Sequence, residues 1–215
     1  MSLDWILEVS SLITQKKILE ELIIKDRKLS KILDNKKKCP FFKKPIIEDD
    51  VLFLNLAQSI VGQQISVKAA DAIWERMISY SDNKKTFLEF ISKSKLRWAR
   101  DQGLSKRKYE YIKLIAKSII SKKASLESIK DLSDDDAKEL LLSFKGIGPW
   151  TSEMFLMFAY KRLDIFSVGD FALRKAISEI YNVSRDDHRK IIKISDKWKP
   201  YRSVVCWYLW EYLDV

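Results

Sequence analysis

Apolar residues recur at helical spacing along most of the chain, while the strict apolar–polar alternation of a half-buried strand is rare. Leu52, Leu56 and Ile60 mark one helix, and Val67, Ala70, Ile73, Trp74 and Met77 mark the next, joined at GQQIS. Asp49 and Asp50 stand where the first of these needs an N-cap, a short acceptor for an N–H of the opening turn. Residues 106–121 form an amphipathic helix with Tyr109, Ile112, Ile115 and Ala116 on one face. Ser133 and the aspartates that follow it open a helix ending near Phe144 in the manner of a capping box. Pro149 occupies a first-turn position, where its missing N–H is no loss, and its helix runs to about Tyr160. Helices over 170–181, 186–198 and 202–212 complete an all-α chain.

Only five glycines and four prolines punctuate the 215 residues. Lys36 to Phe42 and Lys161 to Gly169 read as loops, and there is no internal repeat or low-complexity linker. With 47% hydrophobic residues, the chain is long enough to bury a core in one domain or in two small lobes. Forty Lys+Arg against 30 Asp+Glu give a formal charge of +10, which fits a polyanionic partner such as nucleic acid or, equally, a lysine-rich solvated surface. Seven Trp and eight Tyr supply core and leave some aromatic faces for stacking on bases.

The cysteine count argues against a disulfide framework, since Cys39 and Cys206 stand far apart. The one histidine, His188, sits in a charged run and is expected to be exposed; neither zinc nor any other cofactor is expected. The N-terminal segment carries Asp4 and Glu8 and lacks the basic start of a secretory leader, and no apolar run reaches membrane-spanning length. The expected setting is therefore intracellular, cytoplasmic or, in a eukaryote, nuclear, with no membrane partner.

Candidate chemistry concentrates between Leu141 and Arg174. Phe144-Lys145-Gly146-Ile147-Gly148-Pro149 lies between two helices. Gly146 and Gly148 are able to take positive φ and let a phosphate approach the backbone, while Ile147 plugs the turn into the core. A corner that merely packs is the alternative. A phosphate site of this kind predicts salt-sensitive affinity with little sequence preference. Asp170 opens the helix FALRKAISEI, an ordinary N-cap position at which the helix dipole favours the anion. The same carboxylate near a DNA-facing hairpin suits cleavage of an N-glycosidic bond, because base departure builds positive charge on the sugar. Asp164 is a rival carboxylate, expected to be structural.

Four segments, in this order, carry a family resemblance: IVGQQISVKAADAIWERM, GLSKRKYEYIKLIAKSI, FKGIGPWTSEMFL with VGD, and WKPYRSVVCWYLW. They resemble the helix-hairpin-helix, Gly/Pro-rich-loop, catalytic-Asp superfamily of DNA glycosylases, and within it the bacterial 3-methyladenine DNA glycosylase II (AlkA-like) branch. The resemblance implies two helical lobes with a cleft between them, into which a damaged nucleotide is flipped from the duplex. Residues 1–50 and 182–215 would form the lobe lining the cleft, and residues 51–181 the central lobe. By position, Asp170 matches the catalytic aspartate, Trp150 a tryptophan that stacks on the flipped base, and Trp210 a second aromatic wall. Gly146, Ile147 and Gly148 match the phosphate-binding hairpin, flanked by Lys145 and Thr151. Gln64 falls where a wedge fills the gap in the base stack, with Gln63 and Ser66 beside it on the DNA side. Trp150 and Trp210 also read as plain core aromatics, and Gln64 as an exposed loop amide.

Departures from the family refine the expectation. Relatives with lyase activity hold a Schiff-base lysine at the position of Trp150, so the resemblance implies a monofunctional enzyme that leaves an unbroken abasic strand. The iron–sulfur relatives need four C-terminal cysteines, and Cys206 alone does not supply them. Ser167 stands at a frequent proline, implying a slightly looser loop. Gln64 replaces a leucine wedge, and Met154, one turn after Trp150, replaces a tyrosine and implies a more adaptable pocket wall. The chain has no room for the N-terminal β-containing domain of larger relatives, so the compact, all-helical version is expected, and the resemblance implies a monomer.

Alkylation at purine N3 or N7 makes the base cationic and a good leaving group, which suits a site with one Asp and no protonating His. The faces of Trp150 and Trp210 would attract such a cation by about 0.5–2 kcal/mol each. The expected activity is hydrolysis of 3-methyladenine and 7-methylguanine from double-stranded DNA. The alternatives are a glycosylase for deaminated or oxidised bases and a damage-binding protein without catalysis.

Overall fold

The structure, a computed structural model, describes residues 3–33, 37–80 and 84–214, so Lys36, at the start of the first expected loop, lies outside the described residues. Among the described residues there are α-helices and short 3-10 turns and no strand. The helices are α1 (Leu3–Lys25), α2 (Asp49–Gly62), α3 (Val67–Ile78), α4 (Lys84–Lys93), α5 (Leu96–Asp101) and α6 (Lys106–Ile120). They continue with α7 (Asp134–Ser143), α8 (Pro149–Phe158), α9 (Phe171–Tyr181), α10 (His188–Ser195) and α11 (Arg202–Tyr212). Contacts divide the chain into two compact units, residues 46–155 and residues 1–45 with 156–215.

In the unit 46–155, α2 packs against α3, α4 and α6. Leu52, Phe53, Leu56, Ala57, Ile60 and Val61 are all buried, so α2 is enclosed on nearly every side, as its low polarity demands. Tyr109, Ile112, Ile115 and Ala116 of α6 point inward, the face the spacing predicts; each large buried side chain contributes roughly 1.5–3 kcal/mol. The expected cap of α2 needs correcting. Glu48 has the extended backbone of the N-cap (φ −132°), and Asp49 is already helical. The Asp49 carboxylate turns instead to the segment ahead of α7, accepting from the Glu127 N–H at 2.8 Å and the Ser125 hydroxyl at 3.1 Å. Ser133 does cap α7, accepting from the Asp136 N–H at 3.1 Å.

In the other unit, α9 contributes Leu173, Ala176 and Ile177 to the core, and α11 contributes Val204, Val205, Tyr208 and Leu209. Because α9 packs on α11, the division falls at residues 155 and 156, where the sequence reading places it near 181. α10 begins at His188, two residues later than the spacing predicts, with Asp187 as its N-cap accepting from the Lys190 N–H, and passes into a 3-10 turn over Asp196–Trp198. The expected loop from Lys161 to Gly169 is non-helical but not loose. The Ser203 N–H donates to the Leu163 carbonyl at 2.9 Å, and the Ile165 N–H donates to Ser203 Oγ at 2.9 Å. Arg202 grips Asp164 through Nε–Oδ1 at 2.8 Å and Nη2–Oδ2 at 3.0 Å, the planar fork that suits guanidinium and carboxylate. Asp164 is thereby occupied in holding the loop to α11.

Both cysteines are buried free thiols. Burial pushes the Cys39 thiol up to about 12, which keeps it from acting as a nucleophile. Among the described residues, no helix is long and apolar enough to cross a membrane.

Candidate nucleic-acid interface and active site

The hairpin of unit 46–155 is closed by the Ile147 N–H donating to the Phe144 carbonyl at 3.1 Å. Gly146 has φ +97°, and a Cβ built there would lie 2.1 Å from Cδ2 of Tyr111 on α6. Two independent constraints, handedness and space, therefore require glycine at 146. Gly148 differs from the sequence expectation: its φ is not positive, and a Cβ there would meet nothing within 4 Å. Its carbonyl instead accepts the first bond of α8, from the Ser152 N–H at 2.9 Å. Ile147 is buried and Lys145 is exposed. The two helices flanking the hairpin are tied by an ion pair between Lys138 of α7 and the buried Glu153 of α8.

The turn between α2 and α3 sits against this hairpin. The Gln63 amide donates to the Gly146 carbonyl at 3.0 Å and to the hydroxyl of the buried Thr151 at 3.2 Å. Lys108 of α6 closes the end of α2, donating to the carbonyls of Val61 at 2.8 Å and Gln63 at 2.7 Å. Desolvation, with Arg107 adding repulsion, holds the Lys108 ammonium below the usual lysine range. Gln64 is exposed at the tip with φ +58°, a left-handed backbone that a non-glycine residue takes only when its surroundings impose it. Ser66 caps α3, accepting from the Ala69 N–H at 3.3 Å. Ile65 and Val67 are exposed around the tip as well.

Trp150 and Met154 lie on the first turns of α8, in the same unit; the Trp150 ring is 47% exposed and Met154 is half-buried. Asp170 and Trp210 belong to the other unit. Asp170 is the N-cap of α9 and 8% exposed. Its Oδ1 accepts from the Leu173 N–H at 2.9 Å and from Trp210 Nε1 at 3.3 Å. The Asp170 N–H donates to the carbonyl of the buried Ser167 at 3.1 Å, which closes the turn ahead of the helix. Trp210 in turn stacks on Phe158 with ring centroids 5.8 Å apart. The carboxylate is thus fixed from two sides, by its own helix and by α11.

The structure brings together Gln63, Gly146 and Thr151 in one unit, and Asp170 and Trp210 in the other. Sequence reasoning missed Lys108 as the clamp on the α2 end and Tyr111 as the floor of the hairpin. No local signal marks either: both act on backbone or glycine far away in the chain. It also missed the indole N–H of Trp210 as an orienting donor, although a buried Trp ordinarily requires a partner for that group.

A family model described as HhH-GPD superfamily base excision DNA repair protein matches residues 57–200. The DNA-3-methyladenine glycosylase of Saccharomyces cerevisiae is 29% identical over 229 residues, covering 89% of this chain and 77% of its own. DNA-3-methyladenine glycosylase 1 of Schizosaccharomyces pombe is 32% identical over 159 residues, covering 73% and 70%. Among solved structures, DNA-3-methyladenine glycosidase from Bacillus halodurans superimposes with a TM-score of 0.77 at 31% identity, covering 90% of this chain and 88% of that one. The S. pombe 3-methyladenine DNA glycosylase in complex with abasic DNA gives 0.74 at 28% identity, covering 94% and 97%.

Proposed function

The chain belongs to the HhH-GPD superfamily of base excision DNA repair proteins, and from that membership and the geometry above we propose that it hydrolyses the N-glycosidic bond of alkylated purines in duplex DNA. The observation that carries the proposal is Asp170: buried at a helix start and anchored through one oxygen by Leu173 and Trp210. A carboxylate so fixed needs no reorganisation when positive charge develops on the sugar, and electrostatic help of this kind is the largest single source of rate in many enzymes. The likeness to proteins named DNA-3-methyladenine glycosylase supports 3-methyladenine as a base released; 7-methylguanine is proposed with it because alkylation at N7 likewise leaves a cationic base that departs readily.

The remaining roles belong to the same proposal. Trp150 and Met154 take the flipped base, and Trp210 orients the Asp170 carboxylate through its indole N–H. The hairpin from Lys145 to Gly148, with Thr151, takes a phosphate. Gln64 is the wedge, and Ser66 lies beside it on the DNA. Gln63 acts on DNA through the hairpin it holds. The enzyme works as an intracellular monomer and leaves an abasic strand unbroken, because the position of Trp150 carries no amine to form a Schiff base.

The test is release of free bases from methylated duplex DNA, followed by alkali to convert abasic sites into breaks. Release of 3-methyladenine or 7-methylguanine, with breaks only after alkali, supports the proposal in full. Release only from deaminated or oxidised substrates would move the substrate class, and tight duplex binding without any release would leave a damage-binding protein.

Trp150→Ala separates packing from function. Trp150 is 47% exposed, so truncation should cost only about half of what a fully buried aromatic does, on the order of 1–2 kcal/mol. Stacking on a base is worth about 1–3 kcal/mol, so base release at subsaturating enzyme should fall roughly 5- to 100-fold. A large drop in Tm with unchanged release would return Trp150 to the core.

A further inference from the structure

Beside the hairpin, on α6, lies a groove of about 300 Å³ lined by Glu110, Tyr111, Lys113, Leu114, Lys117 and Lys145. Glu110, Lys113, Leu114 and Lys117 follow the three- and four-residue spacing that puts side chains on one helical face. Its floor is apolar, formed by the Tyr111 ring under Gly146 and by the exposed Leu114. Its rim is cationic. Lys113 Nζ is held by the Ser94 carbonyl and by the Tyr109 hydroxyl at 2.9 Å, both neutral, and among the described residues no carboxylate pairs with it. Among the described residues, neither Lys117 nor Lys145 is paired with a carboxylate. The one acid, Glu110, is 3.8 Å from Lys106 of the same helix.

We propose that this groove is a second backbone-binding site, taking the sugar–phosphate backbone of the damaged duplex as it continues from the hairpin. An apolar floor between cations fits deoxyribose between phosphates, and Lys145 belongs to both hairpin and groove, so the two surfaces are continuous. The inference rests on the reading of the chain as an enzyme of duplex DNA and extends it to residues outside the hairpin.

The experiment is a salt titration of the affinity of the full chain for a duplex with a single abasic site, comparing wild type, Lys117→Gln, Lys113→Gln with Lys117→Gln, and Lys130→Gln. Each lost phosphate contact should lower the slope of log K against log salt by about 0.9, so the single variant loses about 1 and the double about 2. Among the described residues the Lys117 ammonium makes no hydrogen bond or ion pair, so Lys117→Gln tests the groove without disturbing the fold. Lys130→Gln makes the same change of charge at a lysine paired with Glu127 and should keep the wild-type slope. Wild-type slopes in both groove variants would overturn the groove alone. An equal fall in all three variants would also overturn it, as a net-charge effect. Absence of salt-dependent duplex binding by the wild-type chain would overturn the groove together with the reading beneath it.

Discussion

Asp170→Asn should lower the single-turnover rate of base release by about 10²–10³-fold or more, the range found when one preorganised electrostatic group is removed. The substitution isolates charge from structure. Asparagine caps helices about as well as aspartate, so the bond from the Leu173 N–H survives, and its side-chain oxygen can still accept from Trp210 Nε1. The fold and the affinity for an abasic-site duplex should therefore stay within about threefold of wild type, under 1 kcal/mol. Asp170→Ala is the less informative variant. It forfeits about 1 kcal/mol of capping and strands a buried indole N–H at a further 1–3 kcal/mol, so instability would mix with lost chemistry. Rates of base release and titrations against abasic duplex decide the matter. An Asn variant that turns over normally would remove Asp170 from the reaction, and one that loses duplex binding while turning over what it binds would make it a binding residue.

The helical class and most helices were legible because each carries a face of apolar residues at period 3.6 and a chemically recognisable start. Ser133, Asp170 and Pro149 stand where helices begin. α1, α4 and α5 were not delimited: α5 is only six residues long, and lysines at both ends of α4 blur its limits. The cap of α2 was misread for a related reason. Three acids run together at Glu48, Asp49 and Asp50, and spacing cannot say which of them leaves the helix; a hydrogen bond to Glu127, far along the chain, draws Asp49 away.

Long-range pairing also limits what a motif conveys about a site. Within the hairpin, the two glycines look equivalent in sequence, yet one is demanded by a ring contributed from α6 and the other is not. The carboxylate of Asp170 was legible as a cap, but its second anchor, Trp210, is supplied by the last helix and becomes visible only once α9 and α11 are packed. The same holds for Asp164: its distance from Arg202 in the chain hides the fork that makes it structural.

The glycines yield the sharpest separation of folding from binding. Gly146→Ala forces a side chain into a left-handed backbone, at about 1–2 kcal/mol, and drives a methyl into the Tyr111 ring, where overpacking costs about 1–3 kcal/mol. A loss of about 2–5 kcal/mol, read as a fall in Tm on the order of 5–15 °C, should accompany weakened DNA binding. Gly148→Ala meets no protein atom, so its effect on stability should be about 1 kcal/mol or less, the difference between glycine and alanine at an N-cap. If the space in front of Gly148 is where a phosphate approaches, the added methyl intrudes on the ligand alone. Affinity for an abasic-site duplex should then fall about tenfold or more, at least 1.4 kcal/mol, in a protein that melts nearly as wild type does. Thermal melts and duplex titrations on the two variants read these effects separately. Wild-type binding by Gly148→Ala would show that the phosphate sits elsewhere on the hairpin, and a wild-type melt for Gly146→Ala would contradict the packing of Tyr111 against it.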